Sequence, residues 1–261
     1  MERLVSEGHA VTLVDDFSRG RRDREIEALC ARSGIALVQA DLTRHDALLP
    51  LPRRWDQVYM LAAVVGVRNV ETDPARVVRT NTLALMHLLD WLGSESGVLF
   101  FASTSETYAG GVSAGAVPVP TPEDVPLSVP DVAAPRFAYA ASKILGEAAV
   151  IHTARARGLR AVIGRFHNVY GPRMGADHVI PELSLRALRR ESPFRVYGAD
   201  LERQDVGAEG ADQQADHVGR EEGHADDFSR TPIQRRARRD AIALRDLRLR
   251  RIVLGSGVGA D

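Results

Sequence analysis

Two short polar groupings carry the residue types that acid–base chemistry requires. One is Tyr139-Ala-Ala-Ser-Lys143, at the start of a helical segment that reads through Ile144, Leu145, Ala148 and Ile151. A tyrosine and a lysine four residues apart share one face of a helix. An ammonium beside a phenol favours the phenolate and lowers its pKa. A tyrosine tuned in this way can take the proton of an alcohol while hydride leaves the same carbon. The other grouping is Ser103-Thr104-Ser105-Glu106, delivered by the apolar run Val98-Leu99-Phe100-Phe101-Ala102. It offers hydroxyls and a carboxyl.

The elements around these groups alternate between strand and helix. Ala10–Val14 reads as a buried strand running into Asp15 and Asp16. Ile35–Gln39 is a strand leading to Ala40-Asp41-Leu42, and Val58-Tyr59-Met60-Leu61 is another that ends in Ala62 and Ala63. Helices are expected over Arg21–Arg32 and from Pro74 to Trp91, the latter stopped by Gly93. Such alternation predicts an α/β fold, a doubly wound parallel sheet with helices on both faces. These sheets bind ligands beyond the carboxyl ends of their strands, where Asp15, Asp41, Ala62, Ala63 and Ser103–Glu106 all fall. Taken singly, each of these residues has a plainer reading. An acid after a strand is usually a turn residue or helix cap, small residues also serve tight packing, and an Asn within a helix, such as Asn81, is more often solvated than functional. Gly110–Arg136 reads as a long loop, a feature that tends to be functional in compact domains. Beyond it come the strand Arg160–Phe166, the run His167–Arg173, a helix over Glu182–Arg190 and a strand at Phe194–Tyr197.

Composition sets outer bounds. The 261 residues are 44% hydrophobic and 26% charged with a net charge of −1, which gives no pull toward nucleic acid or membrane. No apolar run approaches the roughly 20 residues of a membrane helix, and no signal peptide is visible. Cys30 is the single cysteine and has no internal partner, so a reducing, cytoplasmic setting is expected. His45, His87, His152 and His178 lack ligand-like spacing, and no metal site is expected.

Six segments taken in order resemble the NAD-dependent epimerase/dehydratase branch of the extended short-chain dehydrogenase/reductase superfamily. They are Asp15-Asp-Phe-Ser-Arg-Gly, Ala-Asp41-Leu, Leu61-Ala-Ala, Ser-Thr104-Ser-Glu106-Thr-Tyr108, Tyr139-Ala-Ala-Ser-Lys143-Ile-Leu-Gly-Glu147 and Arg165-Phe-His-Asn168-Val-Tyr-Gly-Pro172. The resemblance implies an NAD cofactor, a nucleotide-sugar substrate and, in intact relatives, a homodimer. It implies Tyr139 as general base, Lys143 on the nicotinamide ribose, and Thr104 on the oxygen of sugar carbon 4. Asp15 and Asp16 would meet the adenosine ribose and Asp41 and Leu42 the adenine. Leu61, Ala62, Ala63 and Asn81 would lie along the cofactor, Phe166 and His167 beside the nicotinamide, and Asn168 and Arg173 toward the substrate. An acid at the ribose favours NAD over NADP. The implied reaction passes through a transient 4-keto sugar, from which epimerisation, loss of water or loss of carbon dioxide can follow. Thr104-Ser105-Glu106 resembles the Thr-x-Glu of dehydratases and decarboxylases, while the plainer reading of Glu106 is a loop carboxylate facing water. Tyr108 reads as core or pocket wall rather than as a catalytic acid.

Two departures accompany the resemblance. The first strand and the glycine-rich phosphate turn that open such domains are missing ahead of Ala10. Residues 201–261 are poor in large apolar side chains, a composition that cannot offset ordering entropy. The expected organisation is a partial Rossmann domain over 1–170, the start of a small, incomplete substrate domain over 171–200, and a low-apolar tail over 201–261 that is disordered or out of frame. The alternative function is a catalytically inactive remnant or binding protein of the same fold.

Overall fold

A computed structural model describes residues 1–18, 22–171, 174, 178–196, 204–206 and 251–255. Helix α1 (Glu2–Ser6) turns at Gly8, whose φ of +86° suits a residue without Cβ, into strand β1 (Ala10–Asp15). Helix α2 (Arg24–Ser33) starts where the Asp23 carboxylate accepts from the Ile26 amide, and it stops at Gly34 in the left-handed conformation. Strands β2 (Ala36–Gln39) and β3 (Gln57–Met60) follow, then α3 (Val67–Thr72) and α4 (Pro74–Trp91). Strand β4 (Val98–Thr104) passes through a 3-10 turn (Ser105–Tyr108) into α5 (Ala109–Ser113). A second 3-10 turn (Pro135–Phe137) opens α6 (Ala138–Arg157), and β5 (Arg160–Phe166) returns to the sheet.

The chain divides into two compact units. The first comprises Met1–His167 with Arg248–Asp261, and the second Asn168–Leu247. In the second unit, α7 (Val179–Leu188) precedes β6 (Phe194–Val196), which pairs antiparallel with β7 (Gln204–Val206). The rest of the expected tail lies outside the described residues, apart from one further strand, β8 (Arg251–Gly255).

That strand enters the middle of the main sheet. Its six strands are all parallel, in the order β2-β1-β8-β3-β4-β5. A doubly wound sheet of order 3-2-1-4-5-6 places its first strand between the second and fourth. Here that slot, for which the N-terminal part of the chain supplies no strand, is filled by residues that follow the rest of the unit in sequence. The strand pairs Thr12 with Val253 on one side and Val58 with Val253 on the other. Composition gave no warning of this, because a single five-residue strand in a long polar stretch hardly changes its average.

The two faces of the sheet are covered separately. Successive strand residues point to opposite faces, so Val14 of β1 packs with Val58, Met60, Leu85, Leu89, Phe101 and Val150 under α4 and α6. Val11 and Leu13 pack instead with Cys30, Ile35 and the apolar residues of α1 and α2. Cys30 is buried in this second cluster.

Two short helices depart from the sequence reading. Helix α5 occupies part of the expected Gly110–Arg136 loop despite two glycines, which are poor helix formers. Tertiary packing decides it: a Cβ on Gly110 would lie 2.6 Å from Ser128 Oγ, and one on Gly111 would run into Val117 Cγ2. Main-chain bonds from Ser128 to Thr107 and from Gly110 to Ser128 then fasten the loop beneath the end of β4. Helix α3 is the other.

A third glycine sets the position of α6. The space for a Cβ on Gly146 is taken by Phe101 Cζ at 2.6 Å and Leu85 Cδ2 at 3.1 Å. Gly146→Ala is therefore expected to destabilise the fold by up to about 2 kcal/mol, since overpacking of about 1–3 kcal/mol offsets the roughly 1 kcal/mol of helix propensity alanine adds. Urea unfolding checks this, and a raised midpoint would refute the close packing.

Candidate active site

Helix α6 lies on β4, and this contact positions the two groupings with which the sequence reading began. Lys143 is 3% exposed. Its Nζ donates to the Ala102 carbonyl at 2.8 Å, sits 4.8 Å from the Phe101 ring centroid and 5.6 Å from that of Tyr139. Burial lowers its pKa from 10.5 to about 8, because a charged group loses hydration that one carbonyl and two ring faces replace only in part. Tyr139 is half-buried against the main core. The expected pairing on one helical face is thus present.

Thr104, the last residue of β4, is buried two positions beyond Ala102. Its hydroxyl accepts from the Glu106 amide at 3.3 Å and so caps the 3-10 turn. Glu106 stands exposed on the wall of an open cleft with Tyr108 and His167. Partial desolvation raises its carboxyl above the usual range, against the pull of Arg136. Its exposure matches the water-facing reading, and its place beside Thr104 is what a proton-transfer role needs. Tyr108 is indeed pocket wall: its hydroxyl lies 3.1 Å from His167 Nε2. Tyr139, Lys143 and Thr104 do not line this cleft.

At the end of β1 the two acids differ. Asp15 is buried, and its Oδ1 accepts from the Phe17 amide at 2.8 Å. Phe17 has φ of 60°, a conformation that costs a non-glycine residue about 1–3 kcal/mol and concentrates at functional sites. Asp16 Oδ1 accepts from the amide and hydroxyl of Ser18, while its buried Oδ2 has no hydrogen-bond partner among the described residues. A carboxylate oxygen in that state suits a hydroxyl donor such as a ribose. Asp41 is used locally, accepting from the Thr43 amide and hydroxyl through Oδ1. The Leu42 side chain points into the core, so only its main chain faces outward chemistry. Ala62 and Ala63 are buried, whereas Leu61 and Phe166 are about half exposed, at 42% and 45%. His167 is exposed. Asn168 opens the second unit, and Arg173 lies outside the described residues.

The reading of Asn81 as a solvated helix residue is corrected. It is buried; its Oδ1 accepts from the Val64 amide at 2.7 Å, and its Nδ2 donates to the Val64 carbonyl and to Ser142 Oγ. Ser142 in turn donates to the Tyr139 carbonyl. Asn81 therefore ties the loop after β3 to the first turn of α6, a link that helix position alone could not reveal.

A second network escaped the sequence reading. Glu147, 2% exposed, accepts from Ser103 Oγ at 2.5 Å and from Arg165 Nε and Nη2 at 3.0 and 2.8 Å. Arg165 also donates to the Glu123 carbonyl at 2.8 Å and is held charged by Glu147. One carboxylate thus fastens α6, β4 and β5, and through Arg165 the long loop. The signals in the sequence were Glu147 in helical phase with Lys143, four residues on, and the places of Glu147 and Arg165 within the resembling segments. Among the described residues no group of three or more His, Cys, Asp or Glu could hold a metal ion, and no helix is long and apolar enough to cross a membrane.

Two outcomes follow. Glu147 is buried but Arg165 is partly exposed, so Glu147→Ala, which removes the acceptor of three hydrogen bonds, is expected to cost about 1–3 kcal/mol in chemical unfolding; a loss under about 0.5 kcal/mol would show the network to be incidental. Lys143 binds its proton less tightly when folded than when unfolded. Its burial penalty is therefore full below pH 8 and relieved as pH rises toward 10.5, at no more than about 1.4 kcal/mol per pH unit. Any stability advantage of Lys143→Met should shrink across that window, and an advantage independent of pH would contradict the buried charge.

Residues 1–227 match the NAD dependent epimerase/dehydratase family. The chain is 29% identical over 205 residues to UDP-glucuronic acid decarboxylase 1 of Xenopus tropicalis, covering 76% of this chain and 44% of that protein. It is 30% identical over 200 residues to UDP-N-acetyl-alpha-D-glucosaminuronate decarboxylase of Bacillus cytotoxicus, covering 76% and 59%. It therefore spans about half the length of these relatives. A UDP-galactose 4-epimerase structure superposes with a TM-score of 0.57 at 30% identity, over 74% of this chain and 58% of the other. The UDP-glucose 4-epimerase of Thermotoga maritima shares the fold, with a TM-score of 0.62 at 23% identity over 100% and 84%.

Proposed function

The chain belongs to the NAD dependent epimerase/dehydratase family, and from that membership we propose that it converts a nucleotide sugar through a transient 4-keto intermediate, with decarboxylation of a nucleotide-linked uronic acid as the outcome and 4-epimerisation as the second reading. The observation that supports decarboxylation over epimerisation is the place of the Glu106 carboxyl, two residues beyond Thr104 on the wall of the cleft. The decarboxylases among its relatives support the same choice.

Asp16, with its unpartnered Oδ2, and Asp15 receive the adenosine ribose. The neighbourhood of Asp41 and Leu42 receives the adenine, and Leu61, Ala62 and Ala63 line the path between. Phe166 and His167 flank the nicotinamide, and Asn81 acts by holding Val64 and Ser142 in place. Bound NAD supplies hydride acceptance at carbon 4 and the later return of that hydride.

The residues of the chain manage protons and position. Tyr139 takes the proton of the carbon-4 hydroxyl, aided by the Lys143 ammonium near its ring. Thr104 donates a hydrogen bond to the carbon-4 oxygen. A ketone at carbon 4 lies β to the carboxylate of the uronic acid. The bond from carbon 5 to the carboxyl carbon breaks, its electrons pass to the ketone as an enolate, and carbon dioxide leaves. Glu106 then delivers a proton to carbon 5.

Incubation with NAD and UDP-glucuronic acid, followed by mass spectrometry of the product, tests the assignment. Loss of carbon dioxide is expected. Interconversion of UDP-glucose and UDP-galactose with no mass change would instead establish the epimerase. Tyr139→Phe should lower turnover by about 10² to 10⁴ with NAD affinity nearly unchanged; retained turnover would remove Tyr139 as base.

A further inference from the structure

The cleft beside Glu106 has a volume of about 660 Å³, within the roughly 300–1,000 Å³ of ordinary small-molecule sites. Part of its wall is apolar, from Val112, Val119 and Pro120. Such a wall offers an anion nothing in place of the water it loses. The polar part includes the Glu106 carboxyl and one hydrogen-bonded pair, Tyr108 with His167. Among the described residues that line the cleft, His167 alone can carry a positive charge. Tyr108 ends the 3-10 turn after β4, and His167 directly follows β5, so the pair bridges the carboxyl ends of two neighbouring strands. The Tyr108 hydroxyl lies 3.1 Å from Nε2, with the two rings tilted and their centroids 6.4 Å apart. His167 is exposed and Tyr108 half-buried, which leaves both within reach of a ligand.

The pair has two proton arrangements. With a neutral imidazole, the hydroxyl donates to Nε2. With an imidazolium, Nε2–H donates to the Tyr108 oxygen, and the phenolic hydrogen is free to point at a third group. An anion at that place completes a charge-assisted chain from Nε2–H through the hydroxyl. A neutral hydroxyl there gains much less. Glu106 stands on the same wall and, in the reaction proposed above, acts at carbon 5, the carbon that bears the carboxyl group.

We propose that the Tyr108–His167 pair binds the substrate carboxylate and so selects a nucleotide-linked uronic acid over the corresponding neutral hexose. This inference rests on the decarboxylase reading above and adds to it the means of recognising the group that leaves. The position after Phe166 keeps His167 beside the nicotinamide, while its imidazole turns into the cleft. The pair determines specificity; protons pass to and from carbon by way of other residues.

Kinetics of the full chain with NAD and UDP-glucuronic acid, with UDP-glucose as competitive inhibitor, test this. UDP-glucose carries a hydroxymethyl group where the uronic acid carries its carboxylate. His167→Phe should raise KM for UDP-glucuronic acid by about tenfold or more, and Tyr108→Phe by a smaller factor. The loss should fall on KM rather than kcat, because negative charge leaves the carboxyl group as the bond breaks. Inhibition by UDP-glucose should be nearly unchanged in both variants. Equal weakening of the two ligands, or a KM for UDP-glucuronic acid that neither substitution moves, would overturn the proposal, while decarboxylation by the unaltered chain would keep the functional reading intact. No decarboxylation by the unaltered chain would overturn both.

Discussion

An ammonium held almost out of reach of water is the constraint on which the site depends. In place of water Lys143 has the Ala102 carbonyl and the ring faces of Phe101 and Tyr139, and these partners meet only when α6 lies close on β4. Gly146 permits that approach one helical turn further on, since no side chain intervenes between the helix and Phe101. The helix cannot lift away without leaving a buried charge unpaired, which is far more costly than loss of a surface contact. The geometry of Tyr139 is thus inherited from core packing.

Around that contact the polar network works as a set of clamps. Asn81 holds the loop after β3 to the first turn of α6, and Glu147 holds the same helix to Ser103 and Arg165. Each clamp reaches a strand or loop at the carboxyl side of the sheet, the rim at which parallel sheets expose their chain ends and bind ligands. Thr104 and Glu106 need no such clamp from a distance, because the β4 end turns directly into the 3-10 segment that bears them. Positioning residues buried in the fold and reactive residues at its rim divide the labour.

The relation between chain order and spatial order is the other feature of note. A parallel sheet requires only that a strand of suitable pattern reach the slot in the right direction; backbone hydrogen bonds do not register where in the chain it came from. Arg251–Gly255 meets that requirement between β1 and β3. The apolar run Ile252-Val253-Leu254 is of the kind a central parallel strand needs.

Local pattern made much of this protein readable in advance. The strands Ala10–Asp15, Gln57–Met60, Val98–Thr104 and Arg160–Phe166, the helices begun by Pro74 and Ala138, and the Tyr139–Lys143 pairing follow from periodicity, caps and helical spacing, all of which act over a few residues. Tertiary structure alone decided that Asn81 faces Val64 and Ser142, that Glu147 meets Ser103 and Arg165, that Gly110 and Gly111 sit in a helix, and that the central strand comes from residue 251 onward. These are contacts between groups tens to hundreds of residues apart. Side-chain type announces the capacity to make such a bond, but only the closed fold determines which partner stands within 3 Å.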